Sequence, residues 1–138
     1  MDGKWWLVLG ALLGLLAVAC GAFGAHGLET QLSNSGMDAA TQAKLLDNWD
    51  VGAKYQMYHA LALLAAGIIG GRHPSRILHT AGILFCLGVL VFSGGLYVYV
   101  LSGLRAWAMI VPLGGVAMMG GWLALAIDAT RTGKDRRD

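Results

Sequence analysis

Formal charge is scarce in this chain. Asp, Glu, Lys and Arg make up 13% of its 138 residues, and apolar types make up 57%, where an ordinary soluble domain carries roughly 25% charged residues. That balance excludes a disordered chain, a nucleic-acid binder and a soluble enzyme with a solvated charged surface. The ten Lys and Arg exceed the eight Asp and Glu by only two. Catalytic signatures are missing too. There is no HExxH, GxSxG or CxxC, no GxxxxGK[ST] phosphate loop, and no nucleophile and base in register. No catalytic residue and no metal ligand set is therefore assigned.

The charges that exist leave four stretches uncovered. Between Lys4 and Glu29 lie 24 residues without formal charge, between Lys54 and Arg72 17, between Arg76 and Arg105 28, and between Arg105 and Asp128 22. A spanning helix needs about 20 mostly apolar residues. A soluble bundle would show a polar face on every helix, and these stretches show none. The expected fold is therefore all-α, a four-helix transmembrane bundle, with spans near residues 5–23, 55–71, 78–101 and 106–127. Aromatics mark the span edges: Trp5 and Trp6, Trp49 with Tyr55 and Tyr58, Tyr97 with Tyr99, and Trp107.

Four spans put both termini on one side. That side holds Lys4, Arg72, Arg76, Arg131, Lys134, Arg136 and Arg137, and the other holds Lys44, Lys54 and Arg105. The excess of positive charge assigns both termini, and the tail 128–138, to the cytoplasm. Lys4, the apolar run and Ala17-Val18-Ala19-Cys20 offer a rival reading as a lipoprotein signal. Asp2 cancels Lys4, and the run stays apolar through Phe23, beyond a normal signal core, so the first span is expected to be retained. Cys20 and Cys86 fall about 10 Å apart in depth at helical rise, which is too far for a disulfide.

Residues 24–54 form the long outer connection. Gly24–Gly36 is rich in Gly, Ser, Asn and Thr and reads as loop. From Asp38, a candidate cap, Leu45, Leu46, Trp49 and Ala53 recur at helical spacing. This predicts a short amphipathic helix, lying at the interface or serving as a solvated linker. Pro74 ends the second span, Ser102–Arg105 forces a hairpin, and Pro112 should kink the fourth span near Ala108.

Twenty-one glycines are a high count, and many lie inside spans. Small residues let membrane helices approach closely. The candidates for such packing are Gly10, Gly14, Gly21, Gly24, Gly67, Gly71, Gly114, Gly115 and Gly121, within the chain or between subunits. No carboxylate, lysine or arginine lies inside a span, whereas proton-coupled carriers and pumps usually need one. The polar residues that remain suggest an outer pocket of His26, Tyr55, Gln56, Tyr58, His59, Ser93 and Tyr97. One reading of it is interhelical hydrogen bonding. Others are a small-ligand or quinone-type headgroup site, and a metal or haem site.

Four motifs together carry a resemblance. They are Gly21-Ala22-Phe23-Gly24-Ala25-His26-Gly27-Leu28, Tyr55-Gln56-Met57-Tyr58-His59-Ala60-Leu61-Ala62-Leu63-Leu64, Phe92-Ser93-Gly94-Gly95-Leu96-Tyr97, and Pro112-Leu113-Gly114-Gly115 with Gly121-Trp122. The chain resembles the YgdD-like family of small membrane proteins from about Trp6 to Ile127. The third motif departs at Gly95, where that pattern leads one to expect Ser. The resemblance implies a four-helix protein of the bacterial inner membrane and no established activity, and so supplies no catalytic residue.

The leading functional expectation is a non-enzymatic component that packs in the bilayer against itself or a larger membrane complex, without cofactor or nucleic acid. One alternative is an oligomeric transporter or channel gated by Gln56, His59, Ser93 and Tyr97. Another is a redox, haem- or lipid-related enzyme using His26 and His59.

Overall fold

The computed structural model describes residues 3–132, which are all-α. Helix α1 runs Lys4–Phe23, passes through a π-helical stretch at Gly24–Leu28 and continues as α2, Glu29–Ser33. Helix α3 is Ala39–Arg72, α4 is Arg76–Ser102 and α5 is Arg105–Thr132. Three runs, Lys4–Ser33, Arg76–Ser102 and Arg105–Arg131, are long and apolar enough to cross a membrane. At 34 residues α3 is the longest helix, about 51 Å at helical rise. It is not among those three, because Gln56, His59 and the charges before Tyr55 dilute its apolar run.

Two sequence expectations are corrected here. Gly24–Gly36 is not a loop: helix continues to Ser33, and only residues 34–38 turn the chain. Residues 39–54 are not a separate short helix but the first half of α3. Glycine's weak helix propensity is offset by tertiary packing: Leu28 and Leu32 of this stretch are buried in a cluster with Leu45, Trp49 and Val100.

The helix ends have local causes. Asp38 caps α3, its carboxylate accepting from the Thr41 N–H at 3.0 Å and the Thr41 hydroxyl at 2.7 Å. The Ser75 hydroxyl caps α4, accepting from the Ile77 N–H at 3.2 Å, directly after Pro74. Gly103 ends α4 at φ 70°, and its N–H donates to the Tyr99 carbonyl at 2.9 Å. That left-handed residue lets α5 begin at Arg105, antiparallel to α4. Helix α5 runs on through Pro112.

Helix α3 packs on α1 and α4, and α4 packs on α5. Glycine sets two of these contacts. A Cβ on Gly10 would lie 2.8 Å from the Ala60 carbonyl oxygen, and one on Gly67 2.8 Å from the Leu7 nitrogen. Between α4 and α5, a Cβ on Gly114 would run into the Phe92 backbone nitrogen, and one on Gly88 would lie 3.1 Å from the Gly114 carbonyl oxygen. Contact between backbones replaces the hydrophobic effect where the surroundings are themselves apolar. Two cores follow. Trp6, Ala62, Leu63, Ala81 and Phe85 fill the first, and Leu28, Leu32, Leu45, Trp49 and Val100 the second, beside the 34–38 turn.

Candidate functional site

Helix α3 buries two polar side chains, Gln56 and His59, and each is bonded to a neighbouring helix. The Gln56 Nε2 donates to the Leu13 carbonyl of α1 at 2.9 Å, and the Tyr97 hydroxyl of α4 donates to Gln56 Oε1 at 3.0 Å. One amide thus joins three helices. Tyr97 lies 4.5 Å, ring to ring, from Trp49, whose indole N–H donates to the Cys20 carbonyl at 2.7 Å. The Trp49 ring occupies the space a Cβ on Gly24 would need, with Cδ1 at 2.6 Å.

His59 belongs to a second cluster. Its Nδ1 lies 2.7 Å from the Tyr55 carbonyl, and Trp122 Nε1 of α5 lies 3.1 Å from its Nε2. The carbonyl can only accept and the indole can only donate. Nδ1 therefore carries the proton, and Nε2 accepts. Phe85 completes the surround, its ring centre 5.4 Å from His59 and 5.2 Å from Trp122. Tyr55 stacks on Phe92 at 4.8 Å, and Tyr58 lies exposed beside it at 5.9 Å.

The structure does not gather the expected outer pocket into one place. His26 lies exposed on the π-helical stretch. With Gly24 against Trp49 and Leu28 against Leu45, its level matches residues 46–48 of α3. His59 is about 18 Å deeper at helical rise, and turns toward α4 and α5. The continuous α3 causes this: Gly52 packs on Leu96 and Gly70 on Leu78, which carries His59 toward the middle of the bundle. Ser93 is completely buried, and its hydroxyl has no hydrogen-bond partner.

The packing glycines divide as well. Gly10, Gly24, Gly67, Gly114 and Gly121 each meet a neighbour within 3 Å of an added Cβ, Gly14 and Gly115 only at ordinary contact distance, and Gly21 and Gly71 meet nothing.

A lateral groove of about 430 Å³ opens between α1 and α4 along the flank of α3. Leu9, Leu13, Leu16, Val89 and Leu90 line it, together with Cys20, Cys86 and the Gln56–Tyr97 pair. Both cysteines are free thiols. The groove is an apolar slot with one polar point, where a second Gln56 amide hydrogen remains beyond the one given to Leu13.

The family described as a protein of unknown function (DUF423) matches residues 20–115. The chain is 44% identical over 124 residues to a UPF0382 membrane protein of Staphylococcus saprophyticus, covering 90% of this chain and 95% of that one. It is 36% identical over 129 residues to the UPF0382 membrane protein YwdK of Bacillus subtilis, covering 93% and 98%. It is 34% identical over 132 residues to the UPF0382 inner membrane protein YgdD of Escherichia coli, covering 95% and 93%.

The chain belongs to the YgdD-like DUF423 family.

It is a membrane protein of that family, and no solved structure matches it. The DUF423 description names no activity and no ligand. Sequence reasoning about this DUF423 chain missed Trp122 as the partner of His59, and missed the Leu13 and Cys20 carbonyls as acceptors. A backbone carbonyl leaves no trace in residue type. Trp122, an aromatic donor within an apolar stretch that also holds Gly120 and Gly121, was the available signal.

Proposed function

We propose that the chain crosses the cytoplasmic membrane four times and serves there as a non-enzymatic packing component. In this reading its α1–α4 groove receives an apolar helix of another membrane protein. The observation that carries the reading is the hydrogen bonding of polar side chains from helix to helix, from which the fully buried Ser93 hydroxyl alone of the Gln56, His59, Ser93 and Tyr97 set stands apart. Gln56, Tyr97, Trp49, His59 and Trp122 are all engaged in bonds that fasten α1, α3, α4 and α5 to one another. Groups so engaged specify a bundle, and they present no paired base and nucleophile to the groove.

The fourth crossing is supported by the place of α3. It buries Gln56 and His59 between its neighbours, so lipid need not solvate them. The orientation is supported by Arg72, Arg76 and Arg131, which line one cleft at the same end as Lys4. At the other end, beyond Leu28 and Trp49, α2 and the start of α3 form the outer cap.

The test is a photo-crosslinking residue placed at Leu90, in the groove, and at Leu123, on the outward face of α5. The expected result is a protein adduct from Leu90 in native membranes, and a mass in mild detergent above that of the monomer. A lone monomer that crosslinks only to lipid from both positions overturns the reading.

A further inference from the structure

Where α3 ends, α4 begins and α5 finishes, the chain forms a cleft of about 470 Å³. Arg72, Arg76 and Arg131 line it, one from each helix, together with His73, Ser75 and Asp128. None of the three exposed guanidiniums pairs with a carboxylate among the described residues. Asp128, the carboxylate of the lining, is buried and already engaged. The start of α4, 27 residues long, adds the positive end of a helix dipole. Three like charges drawn together repel one another unless an anion joins them. A phosphate suits such a site, because each guanidinium can meet two of its oxygens with two N–H groups and its remaining oxygens are left for the neighbouring arginines.

We propose that this cleft binds the phosphate of an anionic phospholipid headgroup. Its level relative to the bilayer rests on the four-crossing reading above, which puts these helix ends at the cytoplasmic headgroup layer. Basic pockets between helix ends on that side suit such headgroups. A role in setting orientation alone would need positive charge near the membrane, and would not need three helices to converge on one cleft.

The experiment uses the full chain in mild detergent micelles, with phosphatidylglycerol, phosphatidylcholine and inorganic phosphate as probes and bound lipid counted by native mass spectrometry. The wild type is expected to retain phosphatidylglycerol in preference to phosphatidylcholine. Arg76→Gln with Arg131→Gln is expected to weaken that retention about 25-fold. This is about fivefold for each arginine, equivalent to the roughly 1 kcal/mol of one basic residue at an anionic surface. Arg76→Lys with Arg131→Lys keeps the charge, removes the bidentate fork, and should lose part of the preference, which covers the case of a Gln pair that does not fold. Lys54→Gln with Arg105→Gln, at the far end, should change nothing. Equal retention of both lipids, or an equal loss in the far-end pair, overturns the proposal. Displacement of the lipid by inorganic phosphate assigns the cleft to a soluble anion and overturns the lipid source. A failure of the four-crossing reading is distinguishable, since three crossings would put side-sensitive reporters at the two termini on opposite faces of the membrane.

Discussion

At Gln56 a single amide does the work of a three-helix joint. Replacing it with Leu removes the acceptor for the Tyr97 hydroxyl and the donor to the Leu13 carbonyl. The expected loss is about 1–2 kcal/mol, because a stranded polar group in an apolar setting loses its partner without regaining water. Unfolding by SDS titration measures it. A cycle with Tyr97→Phe should return a coupling of about 0.5–1.5 kcal/mol. Asp38 shows a pH effect. The Thr41 side-chain hydrogen bond, then the Thr41 N–H, holds its carboxyl below the ordinary 3.8. A lowered folded value means that the cap is at full strength above 3.8 and is lost as pH falls through the lower folded value. Amide exchange at Thr41 should therefore accelerate on acidification, and Asp38→Asn should flatten that dependence. The sequence showed Asp38 as a cap and Gln56, His59 and Tyr97 as intramembrane polar groups. It grouped Gln56 with Tyr97, which do bond, but could not supply the Leu13 carbonyl or the Trp122 indole, which packing alone brings near.

Between helices, backbone clearance decides the outcome. Gly114→Ala drives a methyl into the Phe92 backbone and the Gly88 carbonyl, neither of which can turn aside as a flexible side chain can. The expected penalty is about 1–3 kcal/mol from overpacking, read as a lower melting temperature in detergent. Gly71→Ala meets nothing, and should be neutral or stabilising by up to about 1 kcal/mol through helix propensity. The same residue type at two helical sites thus has opposite expected effects. The glycine pattern of the sequence could not separate them. Gly71 belongs to a Gly67-x-x-x-Gly71 pair as regular as any other, yet only at Gly67 would an added methyl run into α1. Element boundaries erred for a related reason. Gly24 and Gly27 read as loop by propensity, yet they are helical: Trp49 packs where a Gly24 side chain would stand, and Leu28 and Leu32 just beyond are buried against Leu45 and Val100.

For the whole molecule, the outward faces are apolar over their length. Leu15 on α1, Leu90 on α4 and Met109, Leu113 and Met119 on α5 are all largely exposed. Surfaces of that extent on a soluble protein would aggregate. The chain should stay with the membrane pellet after a carbonate wash, and appearance in the supernatant would contradict it. A side-sensitive reporter attached after Asp138 should report the cytoplasm, and a reporter between Ser33 and Ala39 the opposite side. Reversed signals would invert the orientation and move the arginine cleft to the outer leaflet.

Charge placement by itself determined that this chain is helical and made for lipid, because an ionised group cannot be left in hydrocarbon and the gaps between charges match a bilayer's thickness. Motif content determined the family for the same stretch of chain. Only the tertiary structure decided that His26 and His59 stand apart, that Gln56 joins α1 to α4, that α1 and α4 leave a groove between them, and that three arginines far apart in sequence share one cleft. Those facts depend on helix rotation and register. Both are set by which glycines meet which backbones, and that choice is made by many small contacts acting together rather than by any residue alone.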